Sequence, residues 1–152
     1  MPSRTAMNRA KADKRAGKSP GTQAGEFVRE EIDHVREGKH GARSARQAIA
    51  IGLSKARRSG VDLPPPEKGK VSQETRRKAA HDLEKGHHMA PRQRVTAKRK
   101  SASTKALKRE GHRAASPAAL SAHSRSAARK RSPAQRSAAA KKAARTRRMH
   151  AH

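Results

Sequence analysis

Cysteine is absent, so neither a disulfide nor a thiolate metal site can hold this chain together, and the redox compartment is left open. Trp and Tyr are absent as well, and Phe occurs once. With only a modest supply of Ile, Leu and Val, the chain cannot fill a core spanning all 152 residues. Acids are scarce beside bases: 12 Asp and Glu face 39 Lys and Arg, for a formal charge of +27. Low hydrophobicity with high net charge is the composition of chains that stay disordered over much of their length. No apolar run approaches the roughly 18 residues of a membrane span. The basic N-terminus MPSRTAMNRAKADKRAGKSPG lacks the apolar centre of a secretory signal. A cytoplasmic chain with no membrane partner is expected. There is no Walker phosphate loop, no nucleophile elbow and no pair of carboxylates in an apolar setting, so neither an enzyme nor a cofactor is expected.

What is present concentrates in residues 22–63, the one stretch where apolar residues recur at helical spacing. Ala24, Phe27, Val28, Ile32 and Val35 fall on one face at 100° per residue, opposite Glu26, Arg29, Glu30, Asp33, Arg36 and Glu37. Thr22 is a candidate N-cap, and Gly38 can supply the left-handed stop. Ser44 and Gln47 make an S-x-x-Q capping box for a second helix, whose inner face is Ala45, Ala48, Ile49, Gly52, Leu53 and Ala56, ending before Gly60. The two helices predict an αα-hairpin in a mostly α fold. Gly52 on the inner face is expected to let the helices approach closely, and Phe27 to pack against Ile49 and Leu53. A unit of about 40 residues is near the size below which a core needs help, so marginal stability or self-association is expected.

The remainder divides by punctuation and charge. Residues 1–21 read as a basic arm in which a short helix over Thr5–Arg15 is possible. Pro64, Pro65 and Pro66 open a stiff linker, 64–71, that no helix can cross. Ser72 can cap a conditional helix, 72–86, with only Ala79, Ala80 and Leu83 on its apolar side and Gly86 as its stop. Residues 87–152 form a long basic Ala/Ser/Lys/Arg tail expected to be largely disordered, with stretches such as SAAAKKAARTRR able to turn helical once their charge is neutralised. From Lys85 onward the chain holds 20 of the 39 cations against one acid, Glu110. The Ser-Pro steps at Ser19, Ser116 and Ser132 read as helix starts.

That asymmetry points to a polyanion, because Lys and Arg displace condensed counterions from nucleic acid without reading any sequence. Candidate contacts are Lys39 and Arg43 in the hairpin loop, Arg46, Arg57 and Arg58 on the second helix, and, in the tail, Lys98, Arg99, Lys100, Arg129, Lys130, Arg131, Lys141, Lys142, Arg145, Arg147 and Arg148. On the second helix Arg46, Lys55, Arg57 and Arg58 read as unopposed by acids. The loop Gly38-Lys39-His40-Gly41 has the G-x-x-G form of a backbone clamp, but a C-cap glycine followed by a turn glycine explains it more simply. Of the nine His, His81, His87 and His88 lie nearest one another in sequence and make no recognisable zinc pattern, so no metal is expected.

The segment HVREGKHGARSARQAIAIGLSKAR resembles a short domain of unknown function found in small basic bacterial proteins, some labelled plasmid stabilisation or DNA-binding proteins. The tail is similar in composition to linker-histone-like tails. These resemblances imply a histone-like association with DNA at the bacterial nucleoid or a plasmid. Together with the charge, they favour non-specific DNA binding. Association with RNA or the ribosome is the first alternative. The second is an adaptor, or homo-oligomer, whose hairpin docks a protein through Phe27, Val28, Ile49 and Leu53.

Overall fold

A computed structural model describes residues 2–87 and 97–149, with side chains resuming at residue 101. The chain is mostly α-helical and forms two compact units, residues 1–116 and residues 117–152. The first holds α1 (Arg4–Arg15), α2 (Pro20–Arg36), α3 (Ala45–Arg58), α4 (Gln73–His87), α5 (Ala97–Lys108) and a 3-10 turn, Arg113–Ala115. The second holds α6 (Pro117–Arg129) and α7 (Pro133–Met149).

The hairpin is the centre of the first unit: α2 packs on α3, with α1 against α2 and α4 against α3. Ala24, Phe27, Ile32 and Val35 of α2 and Ala45, Ala48, Gly52 and Ala56 of α3 are buried, as the helical spacing predicts. Gly52 does permit close approach, since a Cβ there would lie 2.7 Å from Val28 Cα and 3.0 Å from the Phe27 carbonyl oxygen. Gly38 and Gly60 follow α2 and α3 with φ of +74° and +87°, the left-handed conformation expected of helix stops.

Several boundaries shift. Helix α2 begins at Pro20, capped by Ser19, whose Oγ accepts the Thr22 N–H at 3.4 Å; Thr22 is already inside. The N-terminal arm is an integral helix. Ser3 caps α1 through the Ala6 N–H, at 3.1 Å, and Ala6 and Ala10 are buried. Phe27 accordingly joins Ala6, Ala10, Ala24, Ala56 and Val61, flanked by Met7, Leu53 and Leu63, while Ile49 stays half-buried outside that cluster. Gly86 does not end α4. It lies within the helix, where a Cβ would fall 1.9 Å from the Arg57 carbonyl oxygen, so its missing side chain brings α4 against the end of α3.

The tail also differs from a uniformly disordered extension. Gly41 N–H donates to Leu107 O at 3.0 Å and Ala42 N–H to Gly111 O at 3.1 Å, and Arg36 Nε reaches Ala115 O at 3.0 Å. Ala114 and Ala115 are buried, so residues 107–115 close over the α2–α3 loop as part of the first unit. In the second unit α6 and α7 bury no residue at all. Their helicity rests on local propensity: Ala, Lys and Arg are strong helix formers, Pro117 and Pro133 take the first helical position, and Ser132 Oγ accepts the Gln135 N–H at 3.2 Å.

Candidate nucleic-acid interface and a buried polar cluster

The cations proposed from sequence separate into four groups. Arg129, Lys130, Arg131, Lys141, Lys142, Arg145, Arg147 and Arg148 are all exposed on or beside α6 and α7, in a unit whose sequence carries no acid. Arg43, Arg46 and Arg58 are exposed on the first unit, as is Lys39, which pairs with Glu37 at 2.7 Å. Arg58 is 3.9 Å from Asp82 of α4. Lys98, Arg99 and Lys100 lie outside the residues whose side chains are described.

Arg57 belongs to neither surface. It is only 6% exposed, and its guanidinium donates from Nε to Leu63 O at 3.0 Å and from Nη2 to Pro64 O at 3.1 Å. The side chain thus anchors the start of the proline linker to α3, and burial lowers its pKa from the ordinary arginine value. It is not available to a phosphate. Lys55 is likewise opposed, by Glu31 of α2, and Arg58 by Asp82 of α4, so the idea of an unpaired basic row along α3 gives way to Arg46 alone among the described residues.

The G-x-x-G loop is a covered turn. A Cβ on Gly41 would lie 1.8 Å from the Glu110 carbonyl oxygen, and the Gly41 and Ala42 N–H groups are already bonded to residues 107 and 111. At the start of α3, Ser44 Oγ accepts the Gln47 N–H at 3.2 Å, and Gln47 Oε1 accepts the Arg43 N–H at 2.7 Å. The capping box forms, with its return bond one residue earlier than the motif places it.

Sequence reasoning missed that two acids of α2 face inward. Glu30 accepts the Ser3 N–H on Oε1 at 2.6 Å, tying the start of α1 to α2. Glu31 is fully buried; its Oε2 takes the Lys55 ammonium, and its Oε1 lies 3.2 Å from His40 Nε2 without a hydrogen bond. His34, one turn on from Glu31, stands edge-on to His40 with ring centres 6.0 Å apart. Burial, seconded by Lys55, holds the His34 pKa below its ordinary value of 6.5. Glu31, His34 and His40 each present a ligand atom, and these atoms lie within 4.8 Å of one another. The signal available in the sequence was E-x-x-H with a further His six residues on, which is weak without knowing that Glu31 points inward. His81 and His87, by contrast, are exposed beside Glu84 and Asp62, and His88 lies outside the described residues.

Residues 11–68 match the model of a family of unknown function, DUF6496. No curated protein and no solved structure matches the chain. The matched segment runs from the middle of α1 through α2, α3 and the three prolines, so it contains the Glu31, His34, His40 and Lys55 cluster and the Arg57 anchor. The basic unit after Ser116 lies outside it. Among the described residues no helix is long and apolar enough to cross a membrane.

Proposed function

We propose that this chain is a non-enzymatic DNA-binding protein whose affinity resides in residues 117–152 and is largely indifferent to sequence. One observation carries the reading: α7 exposes Arg136, Lys141, Lys142, Arg145, Arg147 and Arg148, has no acid and buries nothing. At 100° per residue these cations spread around the helix rather than along one stripe, so almost any face turned toward a phosphate backbone presents charge. A helix polar on all sides has no role in a core. Phe27 is 1% exposed, so no Phe, Tyr or Trp is free to stack on bases, and recognition falls to the backbone. The histone-like, nucleoid- or plasmid-associated role implied by the sequence resemblance belongs to the same proposal.

The test compares the full chain with residues 1–116, which form a compact unit of their own. Binding to duplex DNA is measured as a function of salt. Each phosphate contact contributes about −0.9 to the slope of log K against log salt, so losing the ten Lys and Arg of residues 117–152 should flatten it by up to about 9. Equal affinity and slope for the two forms would refute the assignment. Preferential binding of RNA of equal length would move the partner to RNA.

A further inference from the structure

We propose that Glu31, His34 and His40 form a binding site for a divalent transition-metal ion of the zinc type. Two acceptors face each other at His40 and Glu31. His40 Nδ1 is 3.0 Å from the Gly41 carbonyl oxygen, which can only accept, so Nδ1 carries the proton. In the neutral ring Nε2 is then a bare lone pair, and it lies 3.2 Å from Glu31 Oε1 with no hydrogen bond between them. That carboxylate oxygen is fully buried and has no hydrogen bond, a costly condition for an anion. A cation between the two resolves both deficits at once.

The surroundings match the needs of a metal. A ligating His ordinarily donates its other ring N–H to a carbonyl or carboxylate, which fixes its tautomer, and Gly41 O performs that service here. Glu31 and His34 stand in the Glu-x-x-His spacing with which a helix can offer two ligands to one ion. Lys55 occupies Glu31 Oε2 and leaves Oε1 free, and the buried carboxylate of Glu30, 3.9 Å from His34 Nε2, adds a second negative charge against the ion. Tetrahedral zinc with bonds of about 2.0–2.1 Å holds its ligand atoms roughly 3.4 Å apart. The three atoms lie within 4.8 Å, so side-chain movements of under about 1 Å close the site, with water as the fourth ligand. The ion would pin the α2–α3 loop to the end of α2. The proposal stands independently of DNA binding by the second unit.

The experiment uses the full-length chain stripped with a chelator. Zn2+ titrated calorimetrically should bind at one ion per chain, and Co2+ should give the intense visible absorption of a tetrahedral site. His40→Ala and His34→Ala should each weaken Zn2+ binding at least tenfold and abolish the Co2+ spectrum, whereas His87→Ala and His123→Ala should change neither. Retention of the spectrum in both His40→Ala and His34→Ala would overturn the site. Should a variant lose helicity, the wild-type protein still decides: the His40 ring nitrogens, followed by NMR, must shift on adding equimolar Zn2+. A His40 ring that stays doubly protonated through the titration would show that a proton, and no metal, bridges it to Glu31.

Discussion

The same substitution at two glycines should have opposite effects, because one glycine is exposed and the other touches a backbone. Gly25 lies inside α2, is exposed, and has nothing within 4 Å of where a Cβ would stand. Gly25→Ala therefore gains only the difference in helix propensity and should stabilise the first unit by about 0.5–1 kcal/mol. At Gly52 the same propensity gain, about 1 kcal/mol, meets a Cβ 2.7 Å from Val28 Cα, 3.0 Å from the Phe27 carbonyl oxygen and 3.0 Å from Val28 Cγ2. Two of those three atoms are backbone, so no rotamer change relieves the overlap, and α2 and α3 must move apart. Separation loosens the packing of Phe27 against Leu53 and Ala56. Overpacking of this kind costs about 1–3 kcal/mol, enough to cancel the propensity gain and in the upper range to reverse it by about 2 kcal/mol. Urea denaturation followed by circular dichroism on residues 1–116 would read both variants against wild type. A Gly52→Ala protein stabilised as much as Gly25→Ala would refute the close approach of the two helices.

Two further outcomes test the buried charges. Lys55→Met leaves the Glu31 carboxylate buried without its ammonium and should cost about 3–5 kcal/mol in chelator-treated protein, with adding Glu31→Gln recovering part of the loss; equal stability of the single and double variants would show the pair to be uncoupled. Arg57→Leu removes two charge-assisted bonds to the Leu63 and Pro64 carbonyls and should destabilise the first unit by about 2–3 kcal/mol without changing the salt dependence of DNA binding; a shallower salt slope with unchanged stability would return Arg57 to the binding surface.

Periodicity and capping chemistry were legible in the amino-acid order. The apolar faces of α2 and α3, the stops at Gly38 and Gly60, the close approach at Gly52 and the break at Pro64 are local consequences of residue spacing and backbone conformation. The excess of cations from Lys85 onward was legible for the same reason, since counting needs no coordinates, but ten of those twenty, Lys85 to Arg113, fall in the first unit. What depends on a neighbour far along the chain was not. α1 looked like a solvated basic arm because its buried residues, Ala6 and Ala10, are small, and only the cluster around Phe27 gives them a surface to cover. Glu30 read as part of a polar face and Glu31 was assigned to neither face, yet Ser3 lies 27 residues away from the first and Lys55 24 from the second, and without those partners burial of either carboxylate would be prohibitive. Arg57 resembled every other cation of α3 until the linker turned back to place the Leu63 and Pro64 carbonyls in front of it. His34 and His40 were two of nine scattered histidines. Helix pitch sets His34 one turn from Glu31, but it took the α2–α3 loop, held down by residues 107 and 111, to bring the His40 ring back onto the same carboxylate.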